Sequence, residues 1–446
     1  MIMRTLKYFA FLFIVINGIH ACNQTSKADH KRVPPNIILI MADDMGFECI
    51  EAYGSLSYKT PRIDAMASKG ILFTNCISNP LCTPSRVKIM TGMHNYRNYE
   101  YFGYLDPEQY TFGHLMQDAS YATCIVGKWQ LNGIYHNLPG SNNPSRPSEY
   151  GFDEFCLWQV HMGKEKGERY ADPLIVENGK LLPRDPDTYG PDVFADYACD
   201  FIERKKDSPF FLYYPMVLVH DPFVPTPDSE AWVNSEKRYQ NNKAYFKDMV
   251  AYTDKIVGRI IDKLHEEDLE ENTLIIFTGD NGTGRAILSS MPERNIQGGK
   301  GKTIDAGVHV PLLIQWPKVI KAGQTYEGVV DFTDFFATFA DITGQKKKVD
   351  GKSLLPVLSQ EGEALRKFAF VHYNPMWGEW VDKHSNQFVQ NGRYKLYRDG
   401  TMFDIPNDFE EKLPLDPLSS PELSALKREM QQVLDTVPEL ALKAEN

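Results

Sequence analysis

Apolar runs alternate with amphipathic stretches along most of this chain. The run NIILIM at 36–41 is typical of a buried strand, and PRIDAMASK at 61–69 is typical of a helix that begins near Thr60 and ends at Gly70. The order of helix, turn and apolar strand recurs at 110–129, 192–220 and 245–282. This alternation predicts an α/β fold with a large, mostly parallel sheet covered by helices on both faces.

The pattern changes near residue 345. The stretch QKKKVDG at 345–351 has the composition of an exposed linker, and shorter strand-like pieces follow it between turn residues. Those pieces are FAFVHY, NQFVQNG, RYKLYRDG and TMFDI, and the helical stretch PELSALKREMQQVLDTV comes after them. We therefore predict a large domain at 34–345 and a smaller α+β domain with an antiparallel sheet at 346–446.

The N-terminus has the features of an export signal. A basic start is followed by the apolar run YFAFLFIVI, which is too short to span a bilayer. A small residue precedes Cys22 and a polar stretch follows it, which resembles the signal of bacterial lipoproteins, although His20 departs from the usual pattern. The alternative is ordinary signal-peptide cleavage near Ala21. We predict a signal peptide at 1–22 and a polar tether at 23–33. The protein would be a bacterial one, exported to the periplasm or anchored in the outer membrane through a lipid on Cys22 alone.

Composition narrows the range of partners. The chain has 48 Lys and Arg against 59 Asp and Glu, a formal net charge of −11, so no nucleic-acid partner is expected. A few cations are still enough to form a positive pocket for a small anionic substrate. Of the seven cysteines, five remain once Cys22 and Cys82 are set aside, and an odd number cannot all pair within one chain. The five are Cys49, Cys76, Cys124, Cys156 and Cys199.

Polar side chains directly follow four of the predicted strands. In chain order they are Asp43 and Asp44 after NIILIMA, Lys128 after CIVG, His220 after MVLV, and Asp280 and Asn281 after LIIFTG. Ligand sites of open α/β sheets lie beyond the carboxyl ends of the strands. The four segments are therefore predicted to meet in one crevice.

Two pairs of adjacent oxygen-donor residues, Asp43–Asp44 and Asp280–Asn281, are candidate metal ligands. Carboxylate and amide oxygens suit Ca²⁺ or Mg²⁺ rather than zinc. Adjacent acids also serve as turn or N-cap residues, and for either pair alone that is the simpler interpretation. Because Asp43–Asp44 and Asp280–Asn281 both stand directly beyond an apolar strand, the sequence favours a metal site.

The pentapeptide CTPSR at 82–86 places Cys82 near Arg86, which cannot act as a base. A nucleophilic cysteine usually needs a histidine or a helix N-terminus, so Cys82 is either buried packing or a residue that is modified. Taken singly, Lys128 in GKW and Lys300 in QGGKGK are typical of surface lysines, and His220 is typical of a structural histidine.

Together these stretches resemble the type I sulfatase family of the alkaline phosphatase superfamily. The resemblance covers nearly the whole mature chain and implies an alkaline phosphatase-like fold with 34–345 as the catalytic domain. It also implies a hydrolase of sulfate monoesters that acts in the degradation of sulfated polysaccharides. The matching segments are NIILIMADDMG, CTPSRVKIMTG, YATCIVGKWQLNG, SPFFLYYPMVLVHDPFVP, NTLIIFTGDNG, GGKGKTIDAGVHVPLLIQWP and DGKSLLPVL.

The resemblance also assigns roles to residues. It implies that Cys82 is oxidised to formylglycine by a formylglycine-generating or sulfatase-maturating enzyme, and that Arg86 orients the hydrated aldehyde. One hydroxyl of this diol would attack sulfur, His220 or Lys300 would protonate the leaving oxygen, and the second hydroxyl would eject sulfate. The implied Ca²⁺ ligands are Asp43, Asp44, Asp280, Asn281 and the modified Cys82, with Mg²⁺ as the lesser alternative. The implied sulfate-binding residues are Lys128, His220 and Lys300.

Two segments depart from the family pattern. GKWQLNG puts Gln130 where histidine is common. An amide forms hydrogen bonds but exchanges no proton near neutral pH, so Gln130 is predicted to position the diol or the sulfate. TIDAGVHVP stands where EGGxRVP is common, and it places Asp305 and His309 at positions that we interpret as structural.

The leading interpretation is a sulfatase that acts on a sulfated carbohydrate or another sulfate monoester. One rival is a phosphonate monoester or phosphodiester hydrolase of the same superfamily. Another is an inactive protein that binds sulfated glycans, which the replacement at Gln130 suggests and the retention of Cys82 opposes. Candidate substrate-binding residues lie in loops, where packing and surface polarity explain each of them equally well. They are His94, Tyr96, Arg97, His136, His161 and Trp377.

Overall fold

The computed structural model describes residues 34–161, 167–362, 366–377 and 385–438. The predicted signal peptide and tether, with Cys22, lie outside the described residues, so export and lipidation stay predictions. Within the described ranges, no helix has the length and apolar character needed to cross a membrane.

Most strands of the described chain belong to one ten-stranded sheet. The first twelve strands are β1 (Asn36–Ala42), β2 (Ile71–Ile77), β3 (Ala122–Lys128), β4 (Glu154–Trp158), β5 (Ile175–Glu177), β6 (Lys180–Leu181), β7 (Phe210–Pro215), β8 (Thr273–Gly279), β9 (Leu288–Ser290), β10 (Asn295–Gln297), β11 (His309–Gln315) and β12 (Gln324–Asp331). Strands β9 and β10 pair with each other, and the large sheet has the order β12-β2-β11-β8-β1-β7-β3-β4-β5-β6.

The middle of this sheet is parallel. Strand β1 runs parallel to both β7 and β8, and β3 runs parallel to both β7 and β4. Strand β11 is antiparallel to β2 and β8, and β4, β5 and β6 pair in antiparallel fashion at one edge. The sheet is thus mixed but mostly parallel, and the fold class predicted from the alternation is confirmed.

Helices cover both faces of the large sheet. The helices of the described chain are α1 (Pro61–Lys69), α2 (Cys82–Thr91), α3 (Phe112–Asp118), α4 (Gly190–Lys205), α5 (Phe246–Glu266), α6 (Asp305–Val308), α7 (Thr333–Ile342), α8 (Leu355–Leu358) and, away from the large sheet, α9 (Pro421–Asp435). On β1, Ile38 and Ile40 pack with α1, α4 and α5, whereas Ile37 and Leu39 pack with α2, α3 and α7. Both faces of the strand are buried, which is why its sequence is a continuous apolar run.

A second sheet forms near the C-terminus. It consists of β13 (Ala369–Tyr373), β14 (Asn386–Gln390), β15 (Tyr394–Tyr397) and β16 (Met402–Asp404), paired antiparallel in that order. One face packs on α9 through Phe370, Val389 and Met430. The other face packs against Leu81 and Cys82, so the small sheet supports the start of CTPSR.

A buried ion pair joins the two sheets. Lys88 Nζ on α2 lies 2.9 Å from Asp331 Oδ2 at the end of β12, and it donates to the carbonyl of Phe370 on β13 at 3.0 Å. Both charged side chains are essentially inaccessible to water. The predicted small antiparallel sheet and the terminal helix are confirmed, while a domain boundary at 345/346 stays a prediction. Six cysteines lie in the described ranges, and none of them forms a disulfide there.

Candidate active site

Four neighbouring strands end at one edge of the large sheet. Asp43 and Asp44 follow β1, Asp280 and Asn281 follow β8, Lys128 ends β3, and the segment after β7 leads to His220. Strand β1 lies between β8 and β7, and β3 lies beside β7. The structure therefore contains the crevice that the strand-end residues predict.

Backbone hydrogen bonds fix the two acidic segments to each other. The Asp43 N–H donates to the Leu218 carbonyl at 2.7 Å, and the Asp280 N–H donates to the Ala42 carbonyl at 2.9 Å. Asp44 adopts a left-handed φ of 59°, and its N–H donates to Asp280 Oδ1 at 3.0 Å. The two acidic segments are thus held by main chain from three strand ends.

The acidic cluster has the donor atoms of a hard-cation site. Asp43, Asp44 and Asp280 are buried, and Asn281 Nδ2 donates to Asp44 Oδ1 at 2.9 Å. In the described chain, the buried Asn281 Oδ1 has no hydrogen-bond partner. A buried carbonyl oxygen without a donor beside three carboxylates fits direct ligation of a cation.

Helix α2 brings Cys82 and Arg86 to this cluster. Cys82 is the first residue of the helix, and its Sγ lies with one oxygen each of Asp43 and Asp280 in a group whose atoms are all within 4.8 Å of one another. Arg86, one turn later, donates to Asp280 Oδ2 through Nη2 at 3.1 Å and to the Lys128 carbonyl through Nη1 at 3.2 Å. The guanidinium thus ties α2 to two strand ends.

Two lysines and a histidine complete the cluster. Lys128 Nζ donates to both carboxylate oxygens of Asp43 at 2.9 and 2.8 Å. Lys300 Nζ donates to Asp44 Oδ2 at 2.6 Å and to His220 Nε2 at 2.8 Å. We call the nine residues Asp43, Asp44, Cys82, Arg86, Lys128, His220, Asp280, Asn281 and Lys300 the floor.

Charges within the floor shift its pKa values in opposite directions. Burial opposes ionisation of Asp43, but Lys128 and the other cations outweigh it and hold the pKa of Asp43 below its usual range. Burial and the neighbouring Asp43 raise the pKa of Asp280. Burial disfavours the charged Lys300 amine, yet Asp44 raises its pKa, while burial and Lys300 lower the pKa of His220. Lys300 is therefore charged and His220 neutral at neutral pH.

A family model described as Sulfatase matches residues 35–345, more than half of the chain. The chain belongs to the sulfatase family. It is accordingly a sulfuric ester hydrolase, and the resemblance seen in the sequence is confirmed. A second model, described as the C-terminal part of N-sulphoglucosamine sulphohydrolase, matches residues 300–438 of this sulfatase.

Individual relatives agree with this assignment. N-acetylgalactosamine-6-sulfatase of Homo sapiens is 28% identical over 408 residues, covering 83% of this chain and 74% of the relative. An arylsulfatase of Hemicentrotus pulcherrimus is 30% identical over 393 residues, covering 82% of this chain and 67% of the relative.

Solved structures share the architecture. The crystal structure of Ps i-CgsB is 25% identical with a TM-score of 0.73, covering 90% of this chain and 92% of that one. The structure of BT4656 in complex with its substrate D-glucosamine-2-N,6-O-disulfate is 25% identical with a TM-score of 0.71, covering 90% and 97%. A phosphonate monoester hydrolase of Agrobacterium radiobacter, at 18% identity and a TM-score of 0.66, has the same fold.

Arg169 lies at the floor of this sulfatase although nothing in the sequence singled it out. Its guanidinium stacks on the Trp158 ring at 4.0 Å, and Nη1 lies 3.9 Å from Asp43 Oδ2. The side chain is only 9% exposed, and Nη1 has no hydrogen-bond partner in the described ranges. Its segment GERYADP has the composition of a polar loop, so an arginine there is expected on the surface.

Gln130 lies beside the floor rather than in it. Its φ of 53° is left-handed, and its N–H donates to the Gln159 carbonyl at 3.2 Å. Its side-chain amide donates to the Tyr135 hydroxyl at 3.4 Å, and the amide of Gln159 donates to the same hydroxyl at 2.7 Å. The predicted role of Gln130 in positioning the diol or sulfate stays a prediction.

The predicted substrate-binding residues lie on different loops and do not form one cluster in the contacts of the described chain. His94 is buried edge-on against Phe370 at 5.0 Å, and burial lowers its pKa to about 4. Arg97 pairs with Asp350 and lies 5.6 Å from the Tyr96 ring. These contacts place neither His94 nor Arg97 at the floor.

The remaining three are His136, His161 and Trp377. His136 Nε2 hydrogen-bonds to the Phe102 carbonyl at 3.1 Å, and Trp377 stacks on the Phe102 ring at 4.7 Å. His161 follows β4, and burial lowers its pKa. We call the loop residues His94, Arg97, His136, His161 and Trp377 the rim. Their part in substrate binding stays a prediction.

Proposed function

We propose that this sulfatase hydrolyses a sulfate monoester on a sulfated carbohydrate and releases inorganic sulfate and an alcohol. One observation carries the proposal. Cys82 Sγ and the carboxylates of Asp43 and Asp280 form a buried cluster within 4.8 Å, and the cations of the floor surround it. Fixed cations stabilise the charge that develops on sulfate oxygens during ester cleavage. A carbohydrate substrate is supported by the relative solved with a disulfated glucosamine.

The acidic residues fit calcium as the resident cation. Asp43, Asp44, Asp280 and Asn281 would hold it together with the modified Cys82. Mg²⁺ usually takes only one or two carboxylates, so three carboxylates and an amide fit Ca²⁺ better. When bound, the ion would act as a Lewis acid toward the sulfate ester.

We propose that Cys82 carries its reactive group as formylglycine. The hydrated aldehyde would supply the oxygen that attacks sulfur and a second hydroxyl whose ionisation ejects sulfate. All five residues of CTPSR are buried in the folded chain. The maturating enzyme that reads this pentapeptide must therefore meet it before the chain has folded.

The basic residues of the floor divide two tasks. Lys128 and Lys300 would hold the sulfate oxygens. A raised pKa makes Lys300 a poor acid, whereas His220, with its lowered pKa, is the stronger acid of the two. We assign protonation of the leaving oxygen to the protonated form of His220, which the lowered pKa makes the minor form at neutral pH and a larger fraction at acid pH. Its Nε2 is 2.8 Å from Lys300 Nζ, so the imidazole is held beside the charged amine.

The proposal is tested by assaying maturated protein on monosulfated sugars and on matched phosphodiester and phosphonate monoester substrates. We expect inorganic sulfate to be released, with kcat/KM highest for a sulfated sugar. Higher kcat/KM on the phosphorus esters would favour the rival interpretation, a phosphonate monoester or phosphodiester hydrolase. Tight binding of the sulfated sugars without release of sulfate would favour the glycan-binding rival.

We also propose that the protein is exported and held at the membrane by a lipid on Cys22. The proposal rests on the sequence of the first 33 residues alone. In a bacterial host with lipoprotein processing, Cys22→Ser is expected to move the protein from the membrane fraction to the soluble fraction. An unchanged distribution would contradict the lipid anchor.

A further inference from the structure

A pocket of about 290 Å³ opens beside the floor. Lys300 lines it on one side, and Leu81, the residue before Cys82, lines it on another. Arg285, Tyr373 and Trp377 form much of the rest of the wall. The volume is at the low end of the roughly 300–1,000 Å³ typical of small-molecule sites, which suits one or two sugar rings. A group bonded to a sulfate at the floor would extend into this pocket.

Arg285 is anchored at both its backbone and its side chain. Its Nε donates to the Lys300 carbonyl at 2.6 Å, and its own carbonyl accepts from Gln297 Nε2 at 2.5 Å. The guanidinium also packs over Gly301, where a Cβ would lie 2.7 Å from Nη2. A guanidinium held in this way loses little conformational entropy when it binds a ligand.

Within the described residues, the anchored guanidinium has no anionic partner. Arg285 is exposed, and across the described ranges no carboxylate forms a salt bridge with it. Among the described residues that form the pocket wall, the charged ones are Arg285 and Lys300, and none is acidic. The wall therefore offers an occupant one fixed positive charge in addition to Lys300.

Two aromatic rings, those of Tyr373 and Trp377, form part of the remaining wall. Trp377 is 44% exposed, and one ring face stacks on Phe102 with an interplanar angle of 20°. The buried Tyr373 donates to the Gly301 carbonyl at 3.5 Å. An aromatic wall beside a fixed cation suits a ring that has apolar C–H faces and an anionic substituent.

We propose that this pocket is a subsite for a doubly anionic sugar. The sulfate to be cleaved lies at the floor, and Arg285 pairs with a second oxyanion on the same ring or its neighbour, either a carboxylate or another sulfate. The inference rests on the proposed function, and it makes Arg285 the residue that selects acidic or multiply sulfated carbohydrates over neutral ones.

The test compares three sugars that share one scissile sulfate: one otherwise neutral, one with an added carboxylate and one with an added sulfate. We expect wild-type protein to prefer at least one dianionic sugar by kcat/KM. Charge-assisted hydrogen bonds contribute about 1.5 to 3 kcal/mol, so Arg285→Ala is expected to reduce that preference by about tenfold to a hundredfold. Arg285→Lys should retain part of the preference. The dianionic sugar whose preference falls more in Arg285→Ala shows whether the second oxyanion is a carboxylate or a sulfate. Arg294→Ala, an arginine of the neighbouring β-hairpin outside the pocket, is the matched control.

Binding separates failure of the subsite from failure of the proposed function. Titrations of the three sugars into Cys82→Ala protein need no turnover, and adding Arg285→Ala should weaken binding of the dianionic sugar by the same factor. If no sugar releases sulfate but this loss of affinity is seen, the proposal that the protein hydrolyses sulfated sugars fails, and the proposal of the subsite stands. The subsite would be overturned if the preference of Arg285→Ala for dianionic sugars stayed within twofold of that of wild type in both experiments.

Discussion

The floor and the rim of this sulfatase are built differently. The floor residues stand at strand ends, on the loops beyond them or on α2, and they are bound to each other by short polar contacts such as Lys128 to Asp43 and Lys300 to Asp44. The rim residues lie on loops and contact their own surroundings, as His94 does with Phe370. The position of a floor residue follows largely from the order of the strands, whereas that of a rim residue depends on the course of each loop.

The largest effect that separates the two regions should come from the acidic cluster. Asp280→Ala removes a proposed calcium ligand and the partner of Arg86, so we expect kcat to fall by at least about a thousandfold. Metal analysis of the purified protein should show a parallel loss of calcium. Asp228→Ala, on an exposed aspartate paired with Lys255, should keep both metal and rate. Unchanged activity in calcium-free wild-type protein would show that catalysis does not need the metal.

Arg169 borders the floor although no sequence pattern points to it, so it tests whether position or sequence pattern decides which residues matter for function. Arg169→Gln removes a buried cation 3.9 Å from Asp43 Oδ2. Residues that orient metal ligands typically contribute tenfold to a hundredfold, and we expect a loss of kcat of about that size with little change in KM. Arg169→Lys should recover part of the rate. A variant that lost only thermal stability would mark Arg169 as a structural residue.

Gln130 lies on the boundary between the regions and should have a smaller effect. Its side chain contacts the Tyr135 hydroxyl, and a neutral hydrogen bond contributes about 1 kcal/mol. We expect Gln130→Ala to slow turnover about fivefold and to leave the shape of the pH–rate curve unchanged. His220→Gln, by contrast, should remove the fall in kcat that accompanies deprotonation of His220 as pH rises. A reshaped curve for Gln130→Ala would show that residue 130 takes part in proton transfer.

The smallest effect on catalysis is expected outside both regions, at His309. Its ring nitrogens lie 3.0 Å from Asp305 Oδ2 and 2.8 Å from the Thr74 carbonyl. Burial opposes the charge, but Asp305 raises the pKa of His309 above its usual 6.5. The pair therefore stabilises the fold fully below pH 6.5, down to the acid range where Asp305 is protonated, and the contribution disappears as pH rises through the raised pKa.

The corresponding variant should change stability without changing chemistry. We expect His309→Gln to destabilise the protein by about 1 to 3 kcal/mol at pH 5.5 and by much less at pH 8.5, with kcat near wild type. Urea unfolding at the two pH values measures this difference. Equal destabilisation at both would show that the histidine acts through packing rather than charge.

The same contrast explains what the sequence predicted. An apolar run such as NIILIMA fixes a central strand, and the polar residues that follow it must then appear at the edge of the sheet, so Asp43 and Asp44 were placed without a structure. Arg169 was missed because its position depends on stacking over Trp158, from a different element. The pairing of Arg97 with Asp350 could not be predicted for the same reason, since it depends on how distant loops meet.

The central claim is that the floor works through a modified Cys82. Mass spectrometry of the peptide that contains CTPSR, taken from protein preparations of different activity, tests it most directly. We expect formylglycine or its hydrate at Cys82 in a fraction that rises in proportion to kcat. Folded Cys82→Ala protein should show no turnover. Full activity in a preparation that carries only unmodified Cys82 would contradict it.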